Sequence, residues 1–268
     1  MIDCHVHSNF STDGEMTPEE ACEKAISIGL QGITFTDHLD YDYPGADSFD
    51  NIDFPSYSEY MDSLVERYKS KLMVKKGIEV GIQPHVVEES LKVVRSIEFD
   101  YVLASVHIID GIDPYYREYY IGKSIKEAYE LYLKKILFSM DNFPDYDNIG
   151  HMDYIIRYAG YDDRSLRYCD HKELFDEILK ILVSKGKGFE INTGSFRDVK
   201  GMNTARFDID ILKRYRELGG EIISIGSDAH SLEYIGYKHE YIKEILLETG
   251  YRHIVHFENR KPVFTRLL

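Results

Sequence analysis

At 268 residues, 43% hydrophobic and 29% charged, the chain has the length for one large core and the composition of a water-soluble globular protein. No apolar run approaches the roughly 20 residues that cross a bilayer, and MIDCHVH at the N-terminus lacks the basic and hydrophobic segments of a secretory signal. A formal charge of -15 without a basic stripe speaks against a nucleic-acid partner and reads as acidic solvation. A cytoplasmic protein with no membrane partner is the expectation. Cys4, Cys22 and Cys169 are too few and too scattered for a disulfide framework or a cysteine zinc site. Cys4 adjoins His5, but strand alternation points it to the opposite face.

The chain opens on a short apolar run, 1–6 (MIDCHV). Thr17-Pro18-Glu19-Glu20 then marks a helix start: a Thr cap, Pro at the first helical position, and a Glu reaching back to the cap. Further runs follow at 32–36 (GITFT), 73–80 (MVKKGIEV) and 101–106 (YVLASV). Two long connections, 39–56 and 108–124, come after strands, where long loops are functional or mobile. The first contains LDYDYPGADSFD at 39–50, acidic and tyrosine-rich, which suits either a receptor for a cationic head group or a solvated lid. Ile125, Ala128, Tyr129, Tyr132, Leu133, Ile136 and Leu137 recur with helical spacing and predict a core-facing stripe. The run 147–151 (DNIGH) precedes a second stripe through Leu174, Phe175, Ile178, Leu179 and Leu182. After 188–192 (GFEIN) and 221–226 (EIISIG), Tyr241, Ile242, Ile245 and Leu246 form the last stripe.

Most of these runs are rich in Ile and Val and short enough to be buried parallel strands. Alternation with helices means a parallel sheet of about seven strands, either a closed barrel or an open doubly wound sheet. The absence of G-x-G-x-x-G after the first strand weakens a nucleotide-binding reading. No repeat or linker interrupts 1–268, which predicts one domain.

Chemistry gathers at the ends of those strands. His5-Val6-His7 ends the first, with both imidazoles on one face by alternation. Asp13 follows in the loop, and Thr36-Asp37-His38 ends the second strand. Glu79 ends the third, Ser105-Val106-His107 the fourth, Gly150-His151 the fifth and Ser227-Asp228-Ala229-His230 the seventh. C-terminal strand ends are where barrels and open sheets build their sites. One histidine there is commonly structural; six, joined by Asp13, Glu79 and Asp228, are a ligand set for Zn, Mn or Fe. That set is too large for one ion and suits two or three sharing a bridging carboxylate. His85, His171, His239, His253 and His256 fall on helices, loops or the C-terminal tail and are read as non-ligands.

HVH, TDH, the Glu of GIE, SVH, GH and SDAH, in this order and spacing, resemble the polymerase and histidinol phosphatase (PHP) family from residue 1 to about 230. Within it, SVHIIDGIDPYY at 105–116, GHMDYIIR at 150–157 and EINTGSFR at 190–197 are most similar to the histidinol-phosphate phosphatase group. The resemblance implies a distorted seven-stranded (β/α)7, TIM-barrel-like α/β fold, in agreement with the strand count, and a single PHP-type domain over 1–268. It implies that His5, His7, Glu79 and Asp228 hold one ion, and that Glu79 bridges to a second completed by His107 and His151. Asp13, His38 and His230 would hold a third. A carboxylate at Asp13 tilts the preference from zinc toward manganese or iron.

Phosphate monoesters hydrolyse extremely slowly unaided, so a catalyst must supply a nucleophile and neutralise charge. Water bridging two ions is acidified to hydroxide near neutral pH and is the expected nucleophile. The resemblance places Arg157 and Arg197 on the phosphate, where a planar fork donates paired hydrogen bonds; the alternative is a surface salt bridge. Ser105 is a further donor. Asp153 stands as general acid or as orienter of a ligand histidine, and His230 joins it among the catalytic candidates. Three functions compete: a phosphatase acting on L-histidinol phosphate, another PHP phosphoesterase acting on nucleotides or nucleic-acid ends, and a non-catalytic metal-stabilised module. The filled ligand set argues against the last; the lack of a basic stripe and of an attached polymerase segment argues against a nuclease. The partner is then a small phosphorylated substrate, and the sequence is silent on oligomeric state.

Overall fold

The computed structural model of the protein describes residues 1–45, 49, 52–198 and 207–267. In chain order it runs β1 (Ile2–Val6), α1 (Pro18–Ser27), β2 (Gly32–Phe35), β3 (His38–Leu39), α2 (Phe54–Tyr68), β4 (Met73–Gly81), α3 (Val87–Ser96), β5 (Tyr101–Ser105), α4 (Ile125–Asn142), β6 (Asn148–Ile149), α5 (Lys172–Lys185), β7 (Gly188–Asn192), α6 (Ile209–Glu217), β8 (Ile223–Gly226), α7 (His239–Glu248), β9 (His253–Glu258) and β10 (Lys261–Arg266).

The seven expected strands pair in parallel in the order β1-β2-β4-β5-β6-β7-β8. The sheet then turns back on itself: Asp228 N–H donates to the His5 carbonyl (2.8 Å) and His7 N–H to the Ala229 carbonyl (2.9 Å), with a parallel bridge at Val6 and Ala229. The result is a nearly closed α/β barrel of the TIM type. Closure is a matter of tertiary register, which periodicity does not carry.

Two elements go beyond the sequence reading. The second strand breaks at Thr36-Asp37, and the chain re-enters the sheet as β3, with His38 opposite Glu79 on β4. The cause is Asp37, whose buried carboxylate accepts from Ser8 N and Oγ and from Ser11 N and Oγ at 2.7–3.2 Å, tying the loop after β1 to this corner. The C-terminal tail is an antiparallel hairpin, β9–β10. Asn259 and Arg260 turn it at φ 47° and 66°, the two left-handed residues of a type I′ turn. Arg at the second position, where Gly is usual, hides that turn in the sequence.

The helices follow their end signals. Thr17 and Glu20 form the expected capping box, and Ser124 with Glu127 forms another at the start of α4. The stripes on α4 and α5 face the core. Tyr241 is a correction: it is 49% exposed, because the buried arc of α7 runs through Ile242, Ile245 and Leu246, and Tyr241 lies about 100° off it. With no tryptophan in the chain, tyrosines fill much of the core. Tyr57, Tyr119, Tyr129 and Tyr132 are fully buried, and each donates its hydroxyl to a backbone carbonyl: Gly77, Ala128, Arg164 and His151. Such a partner offsets the cost of taking a phenol hydroxyl out of water. Among the described residues no helix is long and apolar enough to cross a membrane.

Candidate metal centre

The strand ends converge as their order demands. The register of β1 against β2 shifts between Asp3 and Val6, and past this bulge the His5 and His7 Nε2 atoms face each other at 2.9 Å. β4 carries Glu79 into the middle. Its Oε1 accepts from the Ser105 hydroxyl (2.6 Å) and lies 2.8 Å from His151 Nε2 and 3.3 Å from His107 Nε2. Its Oε2 lies 3.2 Å from His5 Nε2, 3.4 Å from His7 Nε2 and 3.2 Å from His38 Nδ1. Asp228, after β8, is held at φ 56°, a left-handed conformation that is uncommon outside glycine and concentrates at functional sites. It brings Oδ1 to 3.3 Å from His7 Nε2. Asp13 Oδ2 stands 3.0 Å from His230 Nε2 and 3.8 Å from His38 Nε2.

Three sets with ligand atoms within 4.8 Å of one another result: His5, His7 and Asp228; His38, Glu79 and His107; and His7, His38 and His230. Of the nine predicted ligands, Asp13 and His151 fall outside these three sets; so, among the described residues, do His85, His171, His239, His253 and His256, and Cys4, whose thiol lies 3.7 Å from the Val255 carbonyl.

The electrostatics ask for cations. Burial opposes charge on His5, yet Glu190, Glu79 and Asp228 around it raise its pKa well above the ordinary value. Burial, then His230 and His38, hold His7 well below the ordinary value. Burial alone would raise Glu79 and Asp228, but histidines around the first, and Arg157 and His5 beside the second, hold both carboxyls well below the usual range. Glu79 Oε2 is fully buried without a hydrogen bond, and His107 Nε2 faces His151 Nε2 at 3.2 Å. A buried carboxylate oxygen without a hydrogen bond and imidazole nitrogens that face each other are costly without a cation between them. Mixed nitrogen and carboxylate donors suit zinc, manganese or iron, so the residues fit the metal they imply.

A model of the PHP domain matches residues 3–194. The chain belongs to the PHP family. It is 35% identical over 261 residues to the histidinol-phosphatase of Lactococcus lactis subsp. lactis (strain IL1403), covering 97% of this chain and 95% of the relative. It is 36% identical over 237 residues to a probable histidinol-phosphatase of Clostridium acetobutylicum, covering 88% and 89%. The crystal structure of histidinol phosphate phosphatase from Lactococcus lactis, complexed with zinc, L-histidinol and phosphate, superposes with a TM-score of 0.86 at 34% identity, over 98% of both chains.

In this PHP site Asp13, His38, Glu79, His107, His151, Asp228 and His230 line a cavity of about 620 Å³, while His5 and His7 are fully buried and off its wall. Arg157 and Arg197 line it. Arg157 is buried and donates to Asp228 Oδ2 (2.7 Å), Asn192 Oδ1 (2.7 Å) and Ser195 Oγ (3.2 Å). Arg197 donates to the Ser227 and Asp228 carbonyls (both 2.7 Å) and stacks on Tyr234, 4.1 Å from the ring centre. Neither forms a surface salt bridge among the described residues. Two other expectations meet different surroundings. Ser105 is fully buried behind Glu79 and absent from the cavity wall, so its hydroxyl orients the carboxylate. Asp153 is also off the wall; burial raises its pKa, and one of its oxygens has no hydrogen-bond partner.

The loop 39–50 is described only in part, since 46–48 and 50 lie outside the described residues. It brings Asp40, Tyr43 and Phe49 to the cavity, with Phe49 5.2 Å from the His38 ring. Its Asp42 turns outward to His85 (2.7 Å). Asp40, unremarked in the sequence, is buried and reaches His107 Nδ1 (2.7 Å) and His38 Nδ1 (3.3 Å). Gly81 makes room for it, since a Cβ there would fall 1.7 Å from Asp40 Oδ1. The available signal was its place two residues beyond His38, on the same side of a strand. Glu190 on β7 was missed likewise; it sits behind His5.

Proposed function

We propose that this protein is a metal-dependent phosphomonoesterase acting on L-histidinol phosphate, releasing L-histidinol and phosphate. The observation that carries the reading is one cavity in which two arginines stand beside the converged His–carboxylate cluster. The near-complete match to a relative whose structure holds zinc, L-histidinol and phosphate supports the substrate.

In this reading His5, His7, Glu79 and Asp228 hold one ion, Glu79 with His107 and His151 a second, and Asp13, His38 and His230 a third. Two to three zinc, manganese or iron ions supply Lewis acidity: they polarise phosphoryl oxygens and bring the pKa of bound water down to near neutrality. The chain's own residues do the rest. Arg157 and Arg197 hold the dianionic phosphate by charge-assisted hydrogen bonds. Tyr43, Tyr115, Tyr158 and Tyr234 on the wall supply flat apolar faces and hydroxyls for an imidazole ring. Asp113 and Glu233, also on the wall, favour a cationic head and disfavour a polyanion. Of the catalytic candidates, His230 lines the cavity as a ligand of the third ion, whereas Asp153 stands off the wall beside the arginine end of the site.

The test is a turnover screen of phosphate monoesters, L-histidinol phosphate included, on purified protein of known metal content. L-Histidinol phosphate is expected to give the highest kcat/KM, and full chelation to abolish turnover. Preference for a nucleotide or nucleic-acid end would overturn the substrate, and full activity in metal-stripped protein would overturn the mechanism.

A further inference from the structure

Glu190 and Asn192 stand two residues apart on β7, on the same face by strand alternation. Both are 2% exposed, and neither lines the cavity. We propose that they are a pair of positioning residues, Glu190 for the metal end of the site and Asn192 for the phosphate end. The proposal rests on the metallophosphatase reading above.

The Glu190 oxygens lie 3.0 and 2.9 Å from His5 Nδ1, and Oε1 also accepts from the His151 backbone N–H (2.8 Å). An imidazole that donates Nδ1–H to a carboxylate is fixed in tautomer and ring plane, with the Nε2 lone pair turned forward. Here forward is toward His7, Glu79 and Asp228. One carboxylate thus aims His5 and anchors the chain at His151. β8 accommodates it with Gly226, where a Cβ would fall 2.4 Å from Glu190 Oε2.

Asn192 Nδ2 donates to Glu190 Oε1 (2.7 Å), while its Oδ1 accepts from Arg157 Nη2 (2.7 Å) and Gly194 N (2.8 Å). Between a carboxylate and a guanidinium, an amide donates to one and accepts from the other; a carboxylate or an ammonium does only half of this. With Asp228 on Nη1 and Ser195 on Nε, the Arg157 fork is fixed on three sides before any phosphate arrives, so little side-chain freedom is lost on binding. Glu190 and Asn192 meet through one hydrogen bond, and Asn192 Nδ2 also lies 3.4 Å from His5 Nδ1 and from Asp228 Oδ2; these contacts are longer than those of Glu190 to His5 and of Asn192 to Arg157, so the larger effect of each residue falls at its own end.

The experiment measures two affinities on the full chain: zinc, by competition with a chelating dye, and inorganic phosphate on the zinc-saturated protein, by calorimetry. Glu190→Gln is expected to weaken zinc by roughly 10–100-fold, with KM near wild type once zinc is saturating. Asn192→Ala is expected to leave zinc affinity nearly unchanged, weaken phosphate by about tenfold, and raise KM more than it lowers kcat. Should Glu190→Gln fail to fold, Glu190→Asp, which keeps the charge but withdraws it, carries the same comparison. Wild-type zinc affinity in the Glu190 variant overturns its role. Equal losses of both affinities in both variants reduce the pair to general structural support and overturn the division. Both readouts are independent of turnover: a wild type that binds zinc and phosphate but cleaves no ester overturns the functional reading while leaving this inference decided on its own data.

Discussion

At the C-terminal ends of its strands the barrel crowds His5, His7, His38, His107 and His151 against Glu79 and Asp228. At the N-terminal ends the same strands present Ile2, Cys4, Tyr101 and Leu103 to the hairpin, which closes over them with Val255 and Phe257. Tyr101 and Phe257 stack there at 4.8 Å. The hairpin turn is fastened by Asp100, whose side chain accepts from Asn259 N (3.0 Å) and whose carbonyl accepts from Arg260 N (2.9 Å), and by Arg260 on the buried Asp147. The upper end concentrates buried charge that packing alone does not stabilise; the lower end is an apolar plug fastened at its turn by these hydrogen bonds and the Arg260–Asp147 pair. In a parallel barrel these tasks separate by position along each strand, so a site can hold an unfavourable cluster while the opposite end supports the fold.

The largest effect is expected from the centre of the upper end. Glu79→Gln removes the charge proposed to bridge two ions, and an amide nitrogen has no lone pair to offer a metal. Metal loss and a fall in turnover on the order of a thousandfold are expected, with circular dichroism unchanged. A full metal complement with near-native rates would show that Glu79 is not the bridge.

Phe257→Ala probes the lower end. Loss of a buried aromatic in the plug is expected to reduce unfolding free energy by about 3–5 kcal/mol, read by denaturant titration, while kcat below the melting range stays near wild type. Zinc at a hundredfold excess over its Kd is expected to add about 2.7 kcal/mol of stability. That increment should be the same in the variant, since distant sites add. An increment that shrinks in Phe257→Ala would mean that the two ends are coupled.

Arg197→Ala removes no candidate ligand and takes away a charge-assisted contact, which costs roughly 1.5–3 kcal/mol, or about ten- to hundredfold in turnover. Elemental analysis should find unchanged metal. Unaltered steady-state kinetics would remove Arg197 from the phosphate. The mildest upper-end change is His38→Ala, expected to retain the ions at Glu79, His107, His151, His5 and His7 and to lower turnover by about tenfold, equivalent to about 1.4 kcal/mol of barrier. Loss of every ion in that variant would make the cluster one cooperative site, with no separable third position.

The sequence by itself determined the strand count, the strand–helix alternation, the first capping box and the candidate ligands, because each leaves a local mark: apolar runs of strand length, helical spacing, and His or carboxylate at a run's end. The missed elements have non-local causes. The break at Thr36-Asp37 depends on serines in another loop, and the hairpin turn lacks the glycine that would announce it. Tertiary structure alone decided the closure of β8 onto β1, the plug beneath the site, and the surroundings of Ser105 and Asp153. It also brought in Asp40 and Glu190, whose carboxylates stand behind imidazoles 67 and 185 residues away in the chain. A ligand is marked by where it falls on its own strand, but an orienting carboxylate is defined by the neighbour it meets, and that neighbour exists only once the barrel has closed.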